Sequence, residues 1–293
     1  MTFDQLYGTI QSWFYQGLPL LVKGPQLNFR RAITDNDLPP RQAGQRGVHA
    51  EWWYSGLHLM QSRVRSVSWH WLLEGHVAEI VVQVRFAPAA LAWGFECEYH
   101  YKVDGEGRVV MDISGVPAGE HPRTLPRIGL ELELPKYLEH VVWYGRGPGE
   151  SYRDSKQANR VGVYEKTVRE LHTPYIHPQE NGNRTDVRWV TITDERGTGL
   201  MVVGQPTLNF SAHYYTVEQL DAARHTYELV ENDAVTLHLD HVHHGLGSAS
   251  CGPGPLPQYE LLTTPFAFTV SLQPYTKDAM SSSELGKFTR RWM

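Results

Sequence analysis

Hydrophobic and polar positions alternate with a period of two along most of the chain. Ile80, Val82, Val84 and Phe86 form one alternating set, and Phe95, Cys97, Tyr99, Tyr101 and Val103 form the next, with Glu96, Glu98, His100 and Lys102 between them. Such spacing puts one set on the buried face of a β-strand and the other on its open face. Asp104-Gly105-Glu106-Gly107 then turns the chain into Arg108–Ser114, which predicts a hairpin. The alternation returns in Ile128, Leu130, Leu132 and Leu134, in Val235, Leu237 and Leu239, and in Phe266, Phe268, Val270 and Leu272. Helical signal is thin. Thr216 to Arg224 predicts a short helix with Thr216 and Gln219 as a capping box, and Ser283 to Arg291 a second. Neither is long enough for a βαβ crossover, so the predicted class is all-β and antiparallel.

Composition narrows the function more than the fold. With 41% hydrophobic and 20% charged residues over 293 positions, the chain is not intrinsically disordered. A formal charge of −5 disfavours a phosphate-tracking surface, so no nucleic acid partner is expected. No segment approaches the about 18 apolar residues of a membrane span, and Met1-Thr-Phe-Asp-Gln-Leu6 is no secretory signal. Cys97 and Cys251 form neither a metal spacing nor a disulfide framework, which points to a reducing, cytoplasmic setting. The Pro-rich stretch Gly115 to Pro126 is the best candidate boundary, but it also suits a long connection between sandwich strands. One domain over residues 1–274 is favoured over two, followed by a polar tail over 275–293 where the alternation stops.

Candidate chemistry is sparse. The run Leu237-His-Leu-Asp-His-Val-His-His244 invites a metal reading, but a regular strand would send His238, Asp240 and His244 to one face and His241 and His243 to the other. No metal site is expected from so divided a set. Glu150, Glu180 and Glu260 are the carboxylates that a glycosidase pair would draw on, although structural roles suit each of them better. There is no Gly-x-Ser-x-Gly elbow and no phosphate loop. Glu51-Trp52-Trp53-Tyr54 and Trp69-His70-Trp71 are dense in aromatic rings, which in a sandwich are core more often than sugar platform.

Four segments in series add a resemblance. They are Phe3 to Asp37, with Asn28-Phe-Arg-Arg-Ala-Ile-Thr-Asp-Asn-Asp37 at its end; Trp143-Tyr-Gly-Arg-Gly-Pro-Gly-Glu-Ser-Tyr-Arg-Asp154; Tyr175-Ile-His-Pro-Gln-Glu-Asn-Gly-Asn-Arg184; and Asp240 with His243-His-Gly-Leu-Gly-Ser-Ala-Ser-Cys-Gly-Pro253. In this order and spacing, from about Phe3 to Pro274, the chain resembles the C-terminal part of the bacterial β-galactosidases of glycoside hydrolase family 2, which some bacteria encode as a separate small chain. The resemblance implies a galactose mutarotase-like antiparallel β supersandwich. It implies that the barrel with the catalytic glutamates is elsewhere, since about 250 residues of barrel cannot fit beside a sandwich here. No catalytic residue and no metal ligand is therefore expected on this chain; the family's Mg and Na ions belong mainly to the barrel. The start inside a family motif favours an excised domain over a natural small subunit.

By the same resemblance, two segments reach the rim of the active site. One is the turn holding Ser250, Cys251 and Gly252, where some relatives place a stacking Trp that this sequence lacks. The other is the loop from Leu38 to Glu51, with Arg46, His49 and Glu51 as candidates. Glu150, Tyr152, Asp154, Glu180, Asn181 and Arg184 also match family motifs and are assigned structural roles. The implied partners are a barrel-bearing β-galactosidase chain or domain and a galactoside substrate, with self-association as a further expectation if an apolar face is left open. Two rivals differ in class: a free-standing aldose 1-epimerase using a His and a Glu, and a carbohydrate-binding module acting through Trp52 or Trp53.

Overall fold

A computed structural model describes residues 1–38, 47–72, 75–278, 281, 284, 286 and 287. In chain order its elements are β1 (Thr2–Asp4), β2 (Thr9–Ser12), β3 (Phe14–Tyr15), β4 (Leu18–Pro19), β5 (Lys23–Asn28), α1 (Val48–Tyr54), β6 (Met60–Leu72), β7 (Val77–Pro88), β8 (Gly94–Asp104) and β9 (Val109–Ala118). They continue as β10 (Arg127–Pro135), β11 (His140–Gly147), β12 (Arg160–Thr167), α2 (Val168–Leu171), β13 (Arg184–Thr193), β14 (Thr198–His213), α3 (Val217–Ala222), β15 (Ala234–His243) and β16 (Phe266–Thr276).

The architecture is all-β and antiparallel. A long sheet runs β12-β11-β13-β14-β16-β9-β8-β7-β6, and β15, β10 and β5 branch from it at β14. The branching follows from the length of β14, whose 16 residues serve two neighbours in turn. Thr198–Gln205 pairs with β16, whereas Asn209–His213 pairs with β15. The predicted hairpins appear in register: Phe86 faces Phe95, Val82 faces Tyr99, and Tyr101 faces Met111.

The alternating sets form the core. Leu130, Leu132 and Leu134 of β10 and Val235, Leu237 and Leu239 of β15 are at most 2% exposed. They share one apolar cluster with Val82, Tyr99, Tyr101, Met111, Val202 and Leu272. At about 25 cal/mol per Å² of apolar surface, each such side chain contributes roughly 1.5–3 kcal/mol relative to exposure. β16 continues past Pro274 to Thr276, with Tyr275 buried beside Trp189 and Met201, so pairing outlasts the alternation. The helix expected near Thr216 is α3, where Thr216 Oγ1 accepts from the Gln219 amide and the Gln219 side chain answers as a capping box. Most of the expected helix at Ser283 to Arg291 lies outside the described residues. No helix among the described residues is long and apolar enough to cross a membrane.

Candidate functional site

The four sequence segments, distant in the chain, meet around one buried charge network. Arg127 at the start of β10 donates from Nη2 to Glu180 Oε2 at 2.8 Å and places Nη1 3.7 Å from Asp240 Oδ2. His243 Nε2 donates to the same Asp240 oxygen at 2.7 Å, and Tyr152 Oη donates to Glu180 Oε1 at 3.4 Å. Arg127 and Asp240 are 0% exposed and Glu180 is 5% exposed. Burial alone would raise the Asp240 carboxyl, but Arg127 and His243 outweigh it and hold it below its ordinary value. Burial, partly offset by Asp240, lowers His243, so a neutral imidazole donates to an ionised carboxylate.

Here the structure corrects the expected division of the histidine run. Ile128 faces Val242 while Gly129 faces Asp240, so β15 bulges by one residue at His241. The extra residue turns Asp240 and His243 to the same side, where an unbroken strand would have opposed them. His241 is left outside and stacks on Phe268, ring centroids 5.3 Å apart. Gly129 makes room for this arrangement, since a Cβ there would lie 2.1 Å from Asp240 Oδ1. Arg127 belongs to none of the four segments and was not singled out by sequence. Its only trace was an arginine directly before the apolar alternation of β10.

Further bonds tie the segments together. Glu150 accepts from Tyr175 Oη, from Thr173 Oγ1 at 3.1 Å and from the Gly182 amide at 2.9 Å. Asp154 accepts from the Gly247 amide at 2.7 Å. Arg184, whose guanidinium burial lowers to about 10, donates to the Gly182 and Pro148 carbonyls. Arg31 bonds Asp37 at 2.7 Å and the His244 carbonyl at 3.0 Å. Asn181 accepts from the Thr173 amide at 2.9 Å.

The residues expected at a rim lie outside this network. Ser250, Cys251 and Gly252 form an exposed turn in which the Cys251 and Gly252 amides donate to the Ser248 carbonyl. Ser250 donates from its amide and hydroxyl to Asn36 Oδ1 at 3.1 and 2.7 Å, while Asn36 Nδ2 donates to the Gly247 carbonyl. Arg46 lies outside the described residues. The Leu38 to Glu51 stretch, expected as a loop throughout, ends in helix: His49 and Glu51 are on α1. Tertiary contacts explain this short helix, because Trp52 is 2% exposed and donates from Nε1 to Thr124 Oγ1 at 3.2 Å. The Glu51 carboxylate accepts from the Arg123 amide and from Thr124 Oγ1. His49 instead lines an open hollow of about 480 Å³ with Trp53 and His58. The structure thus separates the rim candidates into the Ser250 turn and α1, joined through Asn36 and through Asp37, whose carbonyl accepts from the His49 amide.

Chemically, the buried network is closed to a sugar, since His243 and Asp240 are at most 1% exposed. Glu260 is held below the usual carboxylate range, chiefly by its bonds to Arg123, at 2.7 Å to each oxygen, which is the wrong direction for a general acid. No group of three or more His, Cys, Asp or Glu side chains among the described residues is arranged to hold a metal ion.

Comparison with known proteins supplies the context. The chain is 33% identical over 252 residues to a β-galactosidase of Priestia megaterium, covering 84% of this chain and 22% of that protein. It is 34% identical over 267 residues to a β-galactosidase of Vibrio cholerae, covering 90% and 25%. Against a β-galactosidase of Kluyveromyces lactis it is 34% identical over 273 residues, covering 92% and 26%. The chain therefore spans about a quarter of the length of these relatives. Among solved structures, a galactose mutarotase related enzyme from Lactobacillus acidophilus is similar at a TM-score of 0.48 and 10% identity, over 94% of this chain and 93% of that one, a likeness too slight to bear on chemistry. The model of the β-galactosidase small chain family matches residues 1–272, and the chain belongs to that family.

Proposed function

We propose that this chain is the non-catalytic portion of a β-galactosidase that hydrolyses terminal β-D-galactosides such as lactose. In this reading a larger, barrel-bearing chain or domain supplies the acid/base and nucleophile and holds the family's metal ions. The turn of Ser250, Cys251 and Gly252 completes the rim of the site. One observation carries the reading: nearly the whole chain matches the small chain family while spanning about a quarter of its full-length relatives. The state of the carboxylates supports it, since Glu150, Glu180 and Glu260 are each engaged by structural donors rather than left facing one another across a cleft. Two free cysteines fit a cytoplasmic setting. β6 ends the sheet with Trp69 and Trp71 57% and 60% exposed, an apolar surface suited to the larger partner.

The test is β-galactosidase activity of the chain alone and after mixing with its cognate barrel-bearing fragment. Activity is expected only in the mixture. Hydrolysis by the isolated chain, surviving removal of trace host enzyme, would refute the non-catalytic assignment; accelerated mutarotation of galactose by the isolated chain would favour an epimerase instead.

A further inference from the structure

The hollow beside α1 has a chemistry of its own. It measures about 480 Å³, within the about 300–1,000 Å³ usual for small-molecule sites. None of Ser248–Pro253 lines it; the segment Thr34–Asp37 touches both, with Asp35 at the hollow and Asn36 holding Ser250. One wall is Trp53, which is 53% exposed and backed by His58, ring centroids 3.9 Å apart and planes 8° from parallel. The stacked imidazole fixes the plane of an indole that still offers open π-surface.

Charge and hydrogen-bonding capacity define the kind of ligand. Both cations at the hollow are neutralised: Arg30 bonds Glu218 at 2.8 Å and Asp221 at 2.5 Å, and Arg31 bonds Asp37 at 2.7 Å. Among the described residues, an anion would find no unpaired guanidinium there. Polar capacity nonetheless remains. Among the described residues, the Asp35 carboxylate is met only by Gln179 Nε2 at 3.5 Å. Burial, and then Arg30, hold His58 below its ordinary value, so its ring is neutral. Among the described residues, Glu218 engages Arg30 through one oxygen only, Oε1. A flat aromatic wall beside carboxylates that outnumber the two arginines disfavours an anion and matches a polyhydroxylated ring: apolar C–H faces for the indole, hydroxyls for the carboxylates.

We propose that this hollow is a saccharide-binding cleft beside the rim and separate from it, taking a neutral pyranoside with Trp53 as stacking platform and Asp35 and Glu218 as hydroxyl acceptors. The experiment titrates the 293-residue chain with lactose and with methyl β-galactoside, followed by tryptophan fluorescence and by NMR. Saturable binding is expected, weakened at least about tenfold in Trp53→Ala, retained in Trp53→Phe, and unchanged in Cys251→Ala. Because Trp53 is half exposed, its truncation leaves the core in place, which the unfolding midpoint verifies; Asp35→Asn is the second variant, with a smaller loss of the same sign. The proposal is overturned by binding that survives Trp53→Ala intact, by binding lost in Cys251→Ala, or by no saturable binding of either sugar up to its solubility. The activity assay fails or succeeds separately: sugar bound at Trp53 by a chain that never supports hydrolysis would sink the rim reading and keep this one.

Discussion

Asp240–His244 and Ser248–Gly252 are neighbours in sequence and opposites in physics. In the first, charged and polar side chains are sealed from water and bonded across four distant segments, with Arg127 between two carboxylates. In the second, the chain is exposed and local, held by its own turn and by one side chain, Asn36. A motif dense in unusual residues therefore marks where the architecture is over-determined. The exposed turn begins where that network ends. Glu180 and Asp240, which as lone carboxylates look like chemistry, are positioned by burial to organise the fold.

The comparison breaks most sharply at Arg127. Arg127→Leu removes the shared counter-charge and leaves Glu180 and Asp240 buried without it, which is expected to cost about 3–5 kcal/mol in a urea unfolding measurement. Gly129→Ala, which drives a methyl against Asp240, is expected to destabilise in the same direction. A loss below about 1 kcal/mol in both would mean that the network is not what joins the four segments.

Acid sharpens the same contrast. Burial is the main cause that lowers His213 to about 3 and His244 to about 4, so both are neutral in the folded protein, whereas each returns to about 6.5 when unfolded. The unfolded chain then binds more protons as pH falls. The stability these two groups contribute is fully present above about 6.5 and is lost progressively toward 4 and then 3. Asp240, also depressed, adds its loss only below its unfolded value of about 3.9. Unfolding midpoints from pH 7 to 4 are expected to fall, and to fall less steeply in His213→Gln. A flat profile would show that these rings take up protons without unfolding.

What the sequence disclosed and what it hid divides along the same line. Strands with one polar face, such as β8, were legible because burial imposes a period of two on the side chains. α3 was legible because its capping box is local, with both partners within three residues. The charge network was not, because one bulge at His241 reverses the facing of everything after it, and a bulge leaves no mark in the alternation. α1 was missed for a different reason: seven residues without a side-chain cap are helical because Trp52 is anchored elsewhere. Asn36 was visible only as part of a motif, and its two contacts to Ser250 depend on a turn 214 residues away.

Asn36→Ala is the intermediate case. It removes acceptors for the Ser250 amide and hydroxyl and the donor to the Gly247 carbonyl, all near the surface where water replaces them. A stability loss of about 1 kcal/mol is expected, together with faster amide exchange confined to Ser248–Gly252. Exchange spreading into Asp240–His244 would show that turn and network are one cooperative unit.

The smallest effect compares the two cysteines. Cys97 lies on the inner face of β8, where burial, reinforced by Glu96, pushes its thiol up to about 12; Cys251 is exposed on the Ser248–Gly252 turn. Since the thiolate is the reactive form and must also be reached, a maleimide probe is expected to label Cys251 completely before Cys97 reacts at all in the folded chain. Labelling should shift the unfolding free energy by no more than about 0.5 kcal/mol, as for any surface change that breaks no buried bond. Cys97 then becomes reactive only when the sheet opens, so the ratio of the two rates, followed from pH 7 downward, reads the loss of the buried network against a site that has none to lose. Equal rates at neutral pH would mean that β8 opens on the timescale of labelling, and the separation between sealed interior and exposed turn would fail at its simplest point.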